Sequence, residues 1–323
     1  MTPRPDWFSI ILDAPDPATA WSQTFDALFE LAKTEPSPFE LHHETVVPDR
    51  ILAESAWELW KAYNQHARKT ASELKAWWNQ PHSGGRAVLI LDALSLREVP
   101  ALLGAASTRG ITPARAMATG AELPSETVPF AQALGLTSRS ALENSNPPGK
   151  FALASDDLFT DVLDMPFEDC ADIIPPKRDI VIWHKFQDDR LHDFKDPHQL
   201  QKLAESQIQS QGFWKLVQAL RYGRRLIITS DHGYAVAKNF SSEIGDKEQI
   251  DILRGLFGAS RLKLTTEEPE GIFMPPVTQR EGQHLVVIGQ RKWKVQGGFP
   301  ALCHGGASLL EVAVPFIELE ELS

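Results

Sequence analysis

The chain has 323 residues, 42% hydrophobic and 23% charged, which is enough apolar material for a large core and excludes wholesale disorder. Its 43 acidic residues outnumber 32 basic ones, for a net charge of −11. That balance argues against a surface coated for non-specific nucleic-acid binding, which needs many cations to neutralise phosphates. The two cysteines, Cys170 and Cys303, exclude a disulfide framework.

From the amino end, residues 7–12 (Trp-Phe-Ser-Ile-Ile-Leu) read as a short strand, stopped at Asp13-Ala-Pro-Asp-Pro. That apolar run is too brief for a signal peptide, and no stretch approaches the ~20 apolar residues that span a bilayer, so a soluble cytoplasmic protein is expected. Helix spacing follows over 18–33, with Trp21, Phe25, Leu28 and Leu31 in phase, and Pro36 and Pro38 end it. A longer helix is predicted over 48–78, striped by Leu52, Trp57, Trp60, Tyr63, Leu74 and Trp77. Such a stripe is more often packing than a binding surface. His42 and His43 are neighbours and diverge on most backbones, which argues against a shared metal.

Pro81-His-Ser-Gly-Gly is a linker-like break, dividing a helical, Trp-rich region (1–82) from the rest (83–323). Beyond it, short continuous apolar runs suit buried parallel strands: 87–91, 150–154, 179–183 and 226–229. Between the last two a helix opens with Asp196 as its cap and Pro197 at its first position, and runs to Leu220. Residues 285–296 read as a late strand pair and 312–319 as a final strand. The expected fold is α/β, a three-layer sandwich with a mainly parallel central sheet.

Polar residues recur where an open parallel sheet places its ligands, beyond the carboxyl ends of strands. Asp92 follows the first run, Asp188 and His192 follow the third, Asp231-His232-Gly233 ends the fourth, and His304-Gly305-Gly306 leads into the last strand. Three carboxylates and three imidazoles form a plausible ligand set for two divalent cations of the zinc or manganese kind. Asp188 and His192, four residues apart, would share one face of a helical turn. Two such ions would polarise a phosphoryl oxygen, activate a nucleophile and screen the leaving group.

Thr229-Ser-Asp-His-Gly, the Asp-x-x-x-His pair and the stretch from His304 to Pro315 resemble the PglZ domain of the alkaline phosphatase superfamily, as does Leu123-Pro-Ser-Glu-Thr-Val-Pro-Phe-Ala. The resemblance covers roughly residues 84–323. It implies that Asp188, His192 and His304 hold one metal, and that Asp92, Asp231 and His232 hold the other beside Thr127. Thr127 would be the nucleophile, forming a phospho-threonine that is then hydrolysed. Zinc is the metal most implied, with manganese or magnesium as alternatives. His184, Lys185 and Tyr234 flank the site as candidate substrate contacts, with packing or solvation as the plain alternative reading of each. Ser95 stands where many PglZ domains read the Arg of Asp-Ala-Leu-Arg, with Arg97 two residues on. Both are further candidate contacts, Ser95 also as a rival nucleophile ranked below Thr127. The sulfatase branch needs Arg four residues beyond its nucleophile, and Ala131 stands there, so sulfate-ester cleavage is disfavoured.

The resemblance further implies a phosphodiesterase or nuclease in a BREX-type phage-defence setting, with other defence proteins as partners; the metal site would equally suit a phosphomonoesterase. A rival reading is an assembly component that recruits partners through its Trp-rich helices, with little activity alone. The complete ligand set argues against a decayed enzyme. A mutase is set aside, because the roughly sixty residues between Thr127 and Asp188 leave no room for a second domain of ordinary size. Arg221, Arg224 and Arg225 form a small basic cluster, for which solvation is favoured over nucleic-acid contact.

Overall fold

The apolar run after the Gly-Gly break forms the strand β1 (Gly85–Leu91), buried along almost its whole length. A computed structural model describes residues 4–34, 38–188, 194, 197–236, 247–266, 274–291, 293 and 302–322. The other strands are β2 (Arg115–Gly120), β3 (Leu158–Leu163), β4 (Asp179–His184), β5 (Arg224–Thr229), β6 (Ala235–Val236), β7 (Leu262–Leu264), β8 (Thr278–Glu281), β9 (His284–Val287), β10 (Leu302–Cys303) and β11 (Ala313–Leu319). Six of them make the central sheet in the order β2-β11-β5-β1-β4-β3. β3, β4, β1 and β5 run parallel, and β11 is antiparallel to both its neighbours.

Alternate residues of these strands feed two different cores. Leu89, Ile182 and Ile228 face one layer with Phe213, Leu216 and Leu220 of the helix Gln211–Arg221. Val88, Val181, Trp183 and Ile227 face the other, with Leu74 and Trp77 of the helix Thr70–Trp78 and Phe130 of the helix Thr127–Ala133. Both faces of the sheet are thus covered, as the continuous apolar runs require, and the fold is the expected α/β sandwich.

The amino-terminal helices are Trp7–Leu12, Pro17–Thr34, Pro38–Glu54, Glu58–His66 and Thr70–Trp78. Their Trp21, Phe25, Trp60 and Tyr63 are buried in one core with Leu123, Ile288, Leu309 and Val312. The aromatic stripe is spent on packing, as its composition suggests. Tyr63 also donates a hydrogen bond to the Ala121 carbonyl (2.9 Å), tying this layer to the end of β2.

Several expectations are corrected. Residues 7–12 are helical, not extended: Asp6 caps them through Ser9 N–H (3.2 Å), and residues 7–12 pair with no strand among the described residues. The long helix over 48–78 is three helices, broken near Ser55–Trp57 and Ala67–Lys69, where Lys69 bridges to Gly120. Residues 150–154 are not a strand, because Phe151 and Leu153 plug the core from a turn; the edge strand is β3 instead. The late hairpin is β8–β9, earlier than expected. The predicted helix up to Leu220 is interrupted at Ser210, which caps the second segment, and Asp196 lies outside the described residues. No helix among the described residues is long and apolar enough to cross a membrane.

Candidate metal and nucleophile site

β1 and β5 are parallel neighbours with Ile90 beside Thr229, so the residues that follow them leave the same sheet edge side by side. Asp92 and the Ser230-Asp231-His232 tripeptide are therefore delivered to one place by strand register alone. The chain turns at Ala93, held at φ +62°, and the Ala93 N–H donates to Asp231 Oδ1 (3.2 Å). Gly233 is required here, since a Cβ would lie 2.3 Å from the Leu310 carbonyl oxygen.

The possible ligand atoms of Asp92, Asp231 and His232 all lie within 4.8 Å of one another, and the three residues are wholly buried. His232 Nε2 sits 3.5 Å from Asp231 Oδ2 and 3.7 Å from Asp92 Oδ1. Thr127 opens its helix just above them, and its hydroxyl donates to Asp231 Oδ2 (2.8 Å) with Asp92 Oδ1 at 3.4 Å. The other oxygen of Asp92 accepts from the Trp183 indole (3.0 Å) and from Arg139.

Burial, and then the charges of Asp231 and Asp188, push the Asp92 carboxyl well above the ordinary range, against the pull of Arg139. Burial alone would lower the His232 imidazole; Asp231 and Asp188 outweigh it and raise it. Crowded acids of this kind favour a cation.

The second half of the site is built from Asp188, Glu126 and His304. The His304 ring stacks on His232 with centroids 4.6 Å apart. Its Nδ1 lies 2.9 Å from Glu126 Oε1, and its Nε2 lies 3.6 Å from Asp188 Oδ1. Burial works against protonation of His304, but Glu126 prevails and raises it. The loop beyond it is held from behind. Arg261 and Glu311, both fully buried, pair at 2.8 Å, and Glu311 accepts from Gly306 N–H (2.9 Å) and the Ser308 hydroxyl (2.5 Å). Gly305 has φ +94°, and a Cβ there would lie 2.1 Å from Leu262 Cδ2.

Of the residues singled out from the sequence, Asp92, Thr127, Asp188, Asp231, His232 and His304 come together, while His192 lies outside the described residues. The candidate substrate contacts do not join them. Ser95 and Arg97 are buried and bonded to each other, Arg97 reaches the Tyr234 carbonyl and stacks on the Tyr234 ring, and the Tyr234 hydroxyl donates to Glu98 (2.7 Å). His184 contacts the Met165 carbonyl (2.9 Å) and stacks on Phe167, and Lys185 pairs with Asp164 at 2.7 Å. Arg221, Arg224 and Arg225 are spent inside the fold, on the Glu320 carbonyl, the Leu220 and Ala219 carbonyls, and Glu318. Cys303, next to His304, is buried.

Sequence reasoning missed Glu126, Arg139 and Trp183. Glu126 had a signal, standing directly before Thr127; Arg139 had none.

The residues present fit a cation. His232 Nε2 and Asp188 Oδ1 are buried and lack a hydrogen-bond partner, and both belong to this cluster. Carboxylate and imidazole donors suit zinc or manganese.

The family described as the BREX system PglZ alkaline phosphatase-like domain matches residues 136–319, more than half of the chain. Asp188, Asp231, His232 and His304 fall inside that span; Asp92 and Thr127 precede it. Among solved structures, the chain is similar to an inactive form of murine ectonucleotide pyrophosphatase/phosphodiesterase 5 in complex with AMP, at 13% identity and a TM-score of 0.44, covering 73% of this chain and 88% of that one. It is also similar to phosphonoacetate hydrolase from Sinorhizobium meliloti 1021, at 13% identity and a TM-score of 0.38, covering 74% and 90%. No curated protein matches.

Proposed function

The chain belongs to the PglZ family of BREX-system alkaline phosphatase-like domains, and from that premise we propose that it is a metal-dependent phosphoesterase with Thr127 as its nucleophile. The family match places it in the alkaline phosphatase-like phosphoesterase superfamily. The observation that carries the finer reading is the Thr127 hydroxyl, donated at 2.8 Å to Asp231 within the buried Asp92–Asp231–His232 cluster.

Asp92, Asp231 and His232 would hold one divalent cation, and Asp188, His304 and His192 the other. Bound there, cations would polarise the phosphoryl oxygens, lower the pKa of the Thr127 hydroxyl and screen the charge of the leaving group. Asp231 holds the hydroxyl proton and is its first acceptor. The Thr127 oxygen then bonds to phosphorus as the ester oxygen departs, and water releases the phosphate from threonine in a second displacement. Trp183 and Arg139 fix the Asp92 carboxylate so that its other oxygen faces Thr127.

The preferred substrate in this reading is a phosphodiester of a nucleotide or nucleic acid, in a phage-defence setting with other defence proteins as partners; the site chemistry suits a monoester equally. A 1–82 helical region beside an 83–323 phosphoesterase region is retained as the domain plan, and zinc as the first metal to test.

The test is hydrolysis of bis-p-nitrophenyl phosphate against p-nitrophenyl phosphate, with Zn²⁺ and with Mn²⁺, by the native chain and by Thr127→Ala. Diester turnover abolished in the variant supports the proposal. Monoester turnover alone moves the assignment to a phosphatase. Turnover that survives Thr127→Ala removes the nucleophile, and bound metal without turnover favours a chain that works only with partners.

A further inference from the structure

Glu126 and Thr127 are consecutive, yet they serve opposite halves of the site: Thr127 reaches Asp231, whereas Glu126 reaches His304. We infer that Glu126 is the positioning residue for His304, setting its ring orientation and tautomer and thereby deciding whether the Asp188–His304 half can hold a cation. The inference rests on the two-cation reading above.

The geometry is specific. Glu126 Oε1 lies 2.9 Å from Nδ1, close enough that a proton on Nδ1 would be favoured over a lone pair facing the carboxylate, which would leave Nε2 as the nitrogen with a lone pair. Nε2 is also the nitrogen that faces Asp188, 3.6 Å away, whose Oδ1 lacks a hydrogen-bond partner. The ring cannot easily turn over, because one face stacks on His232 at an interplanar angle of 23°. Glu126 is itself placed by neighbours. Ser125, next to it, donates to the Gly306 carbonyl (2.8 Å) and accepts from Gly305 N–H (3.0 Å), so its segment and the His304 loop are laced together. A Cβ on Gly305 would lie 2.8 Å from Glu126 Oε1, so the close approach of the loop to this carboxylate depends on glycine. Outer partners of this kind hold a ligating imidazole in one tautomer, and their loss typically costs 10–100-fold in metal affinity.

One dipeptide therefore ties the attacking oxygen to one half of the site and orients a ligand of the other half. A shift of this turn would disturb both together, which separates Glu126 from a residue that merely packs.

The experiment measures Mn²⁺ and Zn²⁺ binding by calorimetry for the native chain, Glu126→Ala, Glu126→Gln and His304→Ala, with the ring nitrogens of His304 followed by NMR in metal-free protein. The expected result is one equivalent retained in Glu126→Ala and the other weakened about 10–100-fold. Glu126→Gln, which keeps an acceptor oxygen, restores most of that affinity, and Glu126→Ala combined with His304→Ala loses no more than His304→Ala alone. In metal-free native protein the Nδ1 proton is fixed, and in Glu126→Ala it is shared between the ring nitrogens. Unchanged binding of both equivalents in Glu126→Ala overturns the inference, as does an unchanged His304 ring. A native chain that binds no metal, but whose His304 proton still depends on Glu126, upholds the positioning role and defeats the two-cation reading instead.

Discussion

Replacing Arg261 with methionine should be the most damaging single change outside the cation cluster. Arg261 and Glu311 are both fully buried and meet through two contacts, Nε to Oε1 at 2.9 Å and a terminal nitrogen to Oε2 at 2.8 Å, while the same nitrogen also reaches the Gly289 carbonyl at 2.5 Å. Methionine keeps much of the aliphatic volume but strands the Glu311 charge, and breaking one side of a buried pair costs roughly 3–5 kcal/mol. Glu311 still accepts from Gly306 N–H and the Ser308 hydroxyl, which places the expected loss near the lower end, about 3 kcal/mol. Against a total stability of about 5–15 kcal/mol, that is a large fraction.

The assay is urea unfolding followed by tryptophan fluorescence, where the midpoint should fall with little change in slope. Glu311→Leu alone should cost a similar amount by stranding Arg261. The double variant should cost at least about 2 kcal/mol less than the sum of the two, because no unpaired charge remains. A loss below about 1 kcal/mol for Arg261→Met, or additivity within about 0.5 kcal/mol, would refute the claim that this pair is an electrostatic unit.

Three further outcomes follow from the same geometry. Because burial and then Asp231 and Asp188 hold the Asp92 carboxyl high, metal binding should expel a proton and strengthen as pH rises; calorimetry in buffers of differing ionisation enthalpy reads this directly, and pH-independent binding would contradict it. Burial raises Glu98 from 4.5 to about 7, so its favourable contribution is complete below about pH 4.5 and lost as pH climbs to about 7. Asp49, likewise raised by burial to about 7, adds to that slope, while His42, lowered by burial to about 3, opposes it between about 3 and 6.5. Glu98→Gln should therefore recover on the order of 1–3 kcal/mol at pH 8 relative to pH 5, and urea midpoints that move in parallel for native and variant proteins would count against it. Gly305→Ala should destabilise the chain by more than about 1 kcal/mol, from its positive φ and the contact with Leu262, and should weaken one metal equivalent more than the other; equal weakening of both would argue against a local effect.

The parts legible from sequence were those whose signal is local. β1, β4 and β5 announce themselves because the middle of a strand buried on both faces is a continuous apolar run. Asp92, Asp231 and His232 could be grouped because parallel strands end at a common edge. Edge and antiparallel elements were harder. β3 carries Thr160 and Asp161 in its middle, and its partner role comes only from β4 beside it. The run at 150–154 is apolar for a tertiary reason, filling a core from a turn, and no spacing rule distinguishes that from a strand. Residues 7–12 are equally apolar as helix or strand, and a capping bond from Asp6 decides between them. Ser95, Arg97 and Tyr234 stood close to site residues in sequence but turn into a buried network of their own. Arg139 reaches Asp92 across a separation of 47 residues, a contact that nothing in either neighbourhood foretells.

The position of β11 bears on how the chain is made. Among the described residues β2 has no sheet neighbour except β11, and β11 also supplies the second neighbour of β5. The strand that joins them is synthesised about 190 residues after β2, so the pairing of β2 with β11 is a long-range closure of the kind that slows folding. His304 and the loop clamped by Glu311 arrive in that same late segment. A nascent chain that has emerged only as far as β9 thus holds Thr127, Asp92 and Asp231 but not His304, so the stacking of His304 on His232 and its approach to Asp188 cannot form until the ribosome has passed residue 304.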